Sequence, residues 1–137
     1  MRDLEKIRRE VKLIRDELGM PVDEAIKELV IGLHCCGIKT LSSCGGHLDR
    51  GLPYPWVRVP YEFAEKLARV VAWQNRPRLP DGSSNKNTWV IKPKANLTLM
   101  PEDKSLSLKQ LQRYATEFGL FLQLLPEDRF PKGWFKK

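Results

Sequence analysis

The stretch WVRVPYEFAEKLARVVAW, residues 56–73, changes from the spacing of a strand to that of a helix. Side chains alternate from Trp56 to Val59, which predicts a half-buried strand. Pro60 then opens a helix, because its fixed φ suits a first helical turn, and apolar residues recur at helical spacing up to Trp73. With a strand predicted over residues 38–43, this stretch forms a unit of two strands and a helix.

A second unit of the same kind follows the polar loop of residues 75–87. Residues 88–92 and 96–100 are predicted strands of a hairpin that turns at residues 93–95. Ser105 or Ser107 caps the next helix, and Gly119 is predicted to end it. Residues 121–125 then predict a final strand, which Pro126 stops.

Two helices are predicted before these units. The first covers residues 3–18, and its apolar stripe consists of Leu4, Ile7, Val11, Ile14 and Leu18. The second begins at Pro21 and ends at Gly37. Because an apolar stripe can also pack against another copy of the chain, a homodimer through residues 3–18 is one alternative.

The order of elements predicts a single α+β domain over residues 1–137. A helical N-terminus precedes two ββα-like units, which form a mainly antiparallel sheet with helices on one face. Residues 1–19 are the N-terminal amphipathic helix, and residues 127–137 are a basic, aromatic tail. A chain of this length can bury a core without disulfides.

Charge and cysteine content narrow the classes of partner. A formal charge of +7 favours anionic partners such as RNA or a nucleotide. No apolar run approaches the ~20 residues that span a bilayer, and the charged N-terminus lacks the apolar core of a signal peptide. We therefore expect no membrane partner and a cytoplasmic location. The three cysteines, an odd number, are expected as thiols or metal ligands.

The segment TLSSCGGHLDRG, residues 40–51, is the candidate functional site, because it places reactive side chains on a glycine-rich loop. Cys44 and His47 have the spacing of half a zinc ligand set. His34 or Cys35 would be the third ligand. Cys36 falls on the apolar stripe of its helix, so it is expected in the core. Zinc bound at Cys44 and His47 is therefore one hypothesis.

The same segment fits covalent catalysis. Cys44 would be the nucleophile, His47 its base, and Asp49 would orient the imidazole. Lys39 or Arg50 would supply the positive charge that favours a thiolate. An enzyme, for instance one that modifies RNA, is thus an alternative function.

Binding of a phosphate-bearing ligand, either RNA or a nucleotide, is the leading hypothesis. The loop offers hydroxyls and successive backbone N–H groups on a permissive turn, which suit an anion. The ligand-binding residues would be Ser42, Ser43, Gly45, Gly46, Arg50, Trp56 and Arg58. His47 and Arg50 would contact phosphate, Arg58 could add a bidentate contact, and Trp56 would stack on a base.

Two family resemblances rest on this segment. The pattern Thr40-x-x-Ser43-Cys44-x-Gly46-His47, followed by PYPWV at residues 53–57, resembles a small family of uncharacterised bacterial and phage proteins. That resemblance covers roughly residues 22–60 and implies a helix, this segment and an aromatic strand, with no known activity.

The second resemblance rests on the pattern Ile38-x-Thr40-x-Ser42-Ser43-Cys44-x-Gly46. It is similar to the TTSSCSGR segment of the wybutosine-synthesis tRNA methyltransferase family, which also follows an amphipathic helix. The resemblance implies a tRNA-modifying α+β protein that uses S-adenosylmethionine. His47 stands where that family has an arginine.

Overall fold

The computed structural model describes residues 3–15, 19–49, 51–76 and 80–135. The elements are α1 (Leu4–Lys12), α2 (Lys27–Cys35), β1 (Ser42–Cys44), β2 (Trp56–Val59), α3 (Ala64–Asn75), β3 (Trp89–Pro93), β4 (Leu97–Pro101) and α4 (Leu108–Gln123), with short 3-10 turns at Tyr61–Phe63 and Glu127–Arg129. Two ββα units thus follow a helical N-terminus, which confirms the predicted α+β fold.

The four strands form one antiparallel sheet in the order β1-β2-β4-β3. Val57, Val59 and Leu99 point to one face and are fully buried. Arg58, between the two valines, is exposed, as alternation along a strand requires. The sheet therefore has an inner face in the core and an outer face that carries Arg58 and Thr98 together with the buried Met100.

The core lies between this inner face and the helices. Side chains with no exposed surface come from α2, α3 and α4 as well as from the strands: Leu29, Leu33, Leu67, Val70, Phe118 and Leu122. Trp89, at the start of β3, is buried and its ring lies 5.4 Å from that of Phe118. The sheet is thus held against helices on one face, as predicted.

Helices α2 and α4 cross at two glycines. A Cβ added to Gly119 would lie 2.2 Å from the backbone oxygen of Glu28, and one added to Gly32 would lie 2.6 Å from the backbone oxygen of Gly119. Gly119 therefore lies inside α4, where it permits close approach of the backbones, and the prediction that it ends the helix is wrong.

The final strand predicted over residues 121–125 is also wrong, because α4 runs through to Gln123. Phe121 packs against the core and Leu122 is buried within it. An apolar run of this length fits a buried helix as well as a strand, and packing against α2 decides the outcome.

Helix α1 ends at Lys12, earlier than predicted, and Leu18 of its stripe lies outside the described residues. Val11 is buried in the core, with Ile7 and Ile14 packed against it. Ile7, Val11 and Ile14 of the stripe thus pack within the chain, whereas Leu4 is exposed. Asp3 caps the helix by accepting a hydrogen bond from the backbone N–H of Lys6.

A polar network joins α1, α2 and α4. Arg8 donates to the carboxylate of Glu28 at 2.8 Å and to Gln123 at 2.9 Å, and Gln123 donates back to the Glu28 backbone oxygen. Burial raises the pKa of Glu28, but the hydrogen bonds from Arg8 and Gln123 outweigh it and leave that pKa below its usual value.

Two elements, α2 and β1, begin later in the chain than predicted. Helix α2 begins at Lys27 rather than at Pro21, and β1 begins at Ser42 rather than at Ile38, which is buried. Gly37, at φ 73°, ends α2 as predicted. None of the helices among the described residues is long and apolar enough to cross a membrane.

The C-terminal segment is docked on the domain. The ring of Trp134 stacks on that of Trp73 at 5.4 Å, and its Nε1–H donates to the backbone oxygen of Cys36 at 2.7 Å. Trp134 is buried, so the described part of the predicted tail anchors to α3 and to the end of α2.

Candidate metal centre

The loop after β1 is shaped by two adjacent glycines. Gly46 has a φ of 92°, and a Cβ there would lie 2.8 Å from the backbone of Tyr54. A Cβ on Gly45 would lie 2.6 Å from that of Ala25. Because both positions are packed against other segments, only glycine fits them, and the loop holds Cys44 and His47 in a fixed arrangement.

Asp23, in the turn before α2, is tied to this loop. One carboxylate oxygen accepts the backbone N–H of Ala25 and the other accepts the backbone N–H of Gly45, both at 3.2 Å. Gln112, on α4, donates to the Gly45 backbone oxygen at 2.9 Å. The start of α2, the β1 loop and α4 therefore fix one another.

Three ligand-type side chains converge at this point. One ligand atom each from Asp23, Cys44 and His47 lies within 4.8 Å of the other two, and all three side chains are partly buried. The backbone N–H of Gly46 donates to the Cys44 sulfur at 3.4 Å. This hydrogen bond helps to fix the position of the sulfur. We refer to these three ligand atoms as the triangle.

This triangle opens on a cleft of about 870 Å³. Lys12 and Arg15 lie on its α1 side, Glu24 and Lys27 at the start of α2, and Ser43 next to Cys44 on β1. Arg15 donates to the backbone oxygens of residues 12 and 14, which holds its guanidinium at the end of α1. The cleft lining thus combines basic and acidic side chains with the three ligand-type groups.

The third residue beside Cys44 and His47 is Asp23 rather than His34 or Cys35. His34 has its Nε2 within 3.2 Å of the Thr40 hydroxyl, and Cys35 is buried. Burial, with a contribution from Lys39, holds the pKa of His34 below its ordinary value, although Glu10 opposes this effect. No sequence spacing distinguishes Asp23, because an acidic residue is common in the first turn of a helix.

Asp49 is exposed, and no hydrogen bond joins it to His47 among the described residues. The carboxylate that lies near the His47 imidazole is therefore that of Asp23 and not that of Asp49. Arg50, predicted as a phosphate contact, lies outside the described residues.

The backbone N–H groups of the loop, which were predicted to bind an anion, donate hydrogen bonds to other atoms of the protein. The N–H groups of Gly45, Gly46 and His47 reach the Asp23 carboxylate, the Cys44 sulfur and the Leu52 backbone oxygen. A phosphate at this turn would also meet the Asp23 carboxylate. These amides are therefore already bonded within the protein, and the Asp23 carboxylate would repel an anion at this turn.

Ser42, Trp56 and Arg58 are not members of this triangle, although Trp56 is the strand partner of Cys44. The Arg58 guanidinium carbon lies 4.8 Å from the centre of the Trp56 ring, and Ser42 is the β1 partner of Arg58. The predicted site residues thus divide into a metal-type cluster and a group on the sheet.

Comparisons with protein-family models, with curated proteins and with solved structures find no match to this chain. The two family resemblances, and the S-adenosylmethionine use that one of them implies, stay predictions.

Proposed function

We propose that this protein binds a zinc ion through Asp23, Cys44 and His47, with the fourth coordination position directed at the cleft. The observation that carries the proposal is the convergence of the three ligand atoms within 4.8 Å of one another. Carboxylate oxygen, thiolate sulfur and imidazole nitrogen are all ligands that zinc accepts.

The spacing suits tetrahedral coordination. Zinc–ligand bonds of about 2.0–2.3 Å place tetrahedral ligand atoms about 3.3–3.8 Å apart. Closing the triangle from its present size requires side-chain movements of about 1 Å, which small torsion changes supply. Because outer hydrogen bonds orient metal ligands, the N–H donors of Gly45 and Gly46 support this arrangement.

A centre with three protein ligands is typical of catalytic zinc, since structural zinc usually has four. The remaining position would take water or a substrate oxygen from the cleft. Bound zinc lowers the pKa of such a water and makes it a nucleophile near neutral pH. Lys12 and Arg15, in the cleft wall, would attract an anionic substrate to it.

Thiol catalysis is the second candidate, because Cys, His and Asp also form nucleophile–base–carboxylate sets. Such a set works as a chain of hydrogen bonds from the nucleophile through the base to the carboxylate. No hydrogen bond joins Asp23, Cys44 and His47 to one another among the described residues, and their atoms form a triangle. This geometry favours the metal.

Metal analysis tests the proposal. We expect stoichiometric zinc in purified, untagged protein and its loss in Cys44→Ser, in His47→Gln and in Asp23→Asn. Asp49→Asn is the matched control, because it removes a nearby carboxylate outside the triangle, and it should retain zinc. With cobalt(II) in place of zinc, wild type should show the near-ultraviolet absorption of a thiolate–cobalt bond, and Cys44→Ser should not.

Absence of metal from the wild type after reconstitution with zinc or cobalt(II) would overturn the zinc proposal. If the metal-free wild type then reacted with iodoacetamide at Cys44 much faster than the His47→Gln variant did, thiol catalysis would become the better hypothesis. Zinc retained equally by Asp23→Asn and wild type would overturn the role of Asp23.

A further inference from the structure

The outer face of the sheet carries a polar row that crosses all four strands. Ser42 pairs with Arg58, Arg58 with Thr98, and Thr98 with Lys92. Adjacent strands are about 4.8 Å apart, so the row extends for about 14 Å. It presents a hydroxyl, a guanidinium, a second hydroxyl and an ammonium group in spatial order.

Trp56 lies two residues from Arg58 on the same face of β2. The Arg58 guanidinium carbon lies over its ring, 4.8 Å from the ring centre, so the two side chains form a cation–π pair beside the row. Arg58 and Lys92 are exposed, while Trp56 and Thr98 are half-buried. The charged groups of this face are therefore accessible to a ligand, and the Trp56 ring is partly accessible.

The charge on this face has one sign. The chain has 17 acidic residues, yet none lies in β1, β2, β3 or β4. Nothing on the strands therefore neutralises Arg58 or Lys92. A partner that complements the face carries regularly spaced negative charges and flat apolar groups, which is the chemistry of a single-stranded nucleic acid.

We propose that the outer face of the sheet binds single-stranded RNA. Arg58 and Lys92 contact phosphates, a base stacks on the Arg58–Trp56 pair, and the hydroxyls of Ser42 and Thr98 contact ribose 2′-OH groups. Sheet faces with aromatic and basic side chains recognise unpaired bases in this way. Because the surface lies outside the zinc triangle, this inference does not depend on the metal.

Fluorescence anisotropy with a labelled single-stranded RNA of mixed sequence tests the proposal. We expect Trp56→Ala and Arg58→Gln each to weaken binding about tenfold, and Lys92→Gln to lower the salt slope by about one. Trp56→Phe should restore most of the affinity, since an aromatic face remains. Arg69→Gln, an exposed arginine on α3, is the matched control and should bind as wild type.

Three results would overturn the proposal: no binding by wild type, equal losses in Arg69→Gln and Arg58→Gln, or equal affinity for double-stranded RNA. Single-stranded DNA of the same sequence should bind more weakly, and Ser42→Ala with Thr98→Val should remove that difference. Equal affinity for DNA and RNA would contradict the choice of RNA.

Discussion

The carboxylate of Asp23 accepts a hydrogen bond at 3.2 Å from the backbone N–H of Gly45, 22 residues further along the chain. This contact joins the turn before α2 to the loop after β1. It brings a carboxylate to Cys44 and His47, and it occupies an amide that would otherwise be free for an anion. It therefore supports the proposed cation site at this loop.

The fit of Gly46 in the loop can be tested by comparison with Gly51. Both have positive φ, so alanine should cost each about 1–2 kcal/mol in backbone strain. At Gly46 the new Cβ also meets the Tyr54 backbone at 2.8 Å, whereas at Gly51 nothing lies within 4 Å. We expect Gly46→Ala to lose more unfolding free energy in urea and to bind zinc at least about tenfold more weakly.

The helix crossing predicts an unusual response to alanine. Glycine to alanine inside a helix normally stabilises it by about 1 kcal/mol. Gly119→Ala should instead lower the free energy of unfolding by about 1–3 kcal/mol, because its Cβ would overlap the Glu28 backbone. Glu117→Ala, an exposed change in the same helix, should be nearly neutral. A stabilised Gly119→Ala would show that the two helices are less close than the structure indicates.

His34 should make the protein less stable in mild acid. Its pKa is lowered by burial from the ordinary 6.5, so below that pH the unfolded chain binds a proton more readily than the folded one. The contribution of neutral His34 is complete above pH 6.5 and is lost as pH falls toward the folded pKa.

Urea unfolding with a chelator present, which removes any effect of metal at His47, measures this contribution. Between about pH 7.5 and about pH 5.5, wild type should lose more unfolding free energy than His34→Gln does. Equal losses of unfolding free energy in the two proteins would show that burial does not lower the pKa of His34 in the folded state.

Trp134 should contribute strongly to stability. Its ring is buried against Trp73 and Phe130, and its Nε1–H donates to the Cys36 backbone oxygen. Trp134→Ala should lower the free energy of unfolding by about 3–5 kcal/mol, as for other large core side chains. Lys132→Ala, an exposed change in the same segment, should leave thermal unfolding almost unchanged; a similar loss in both would contradict docking through Trp134.

The parts of the fold that depend on local pattern were predictable. The hairpin of β3 and β4 follows from alternation around a short turn, and Ser107 caps α4 as expected. The end of α4 was not predictable, because residues 121–125 suit a strand or a helix and contact with α2 selects the helix. Cys44 and His47 could be predicted as a site because they are close in sequence. Asp23 could not.

The sequence by itself determined most of the segments that become helices or strands, residues 121–125 excepted. It also determined how the two ββα units follow one another and which loop carries reactive side chains. These properties depend on spacing over a few residues, where propensity and alternation act. Tertiary structure decided that Asp23 completes the triangle, that two glycines allow α2 and α4 to cross, and that Ser42, Arg58, Thr98 and Lys92 form one row. Such contacts join residues far apart in the chain, so strand register and helix packing bring them together, and no local pattern encodes them.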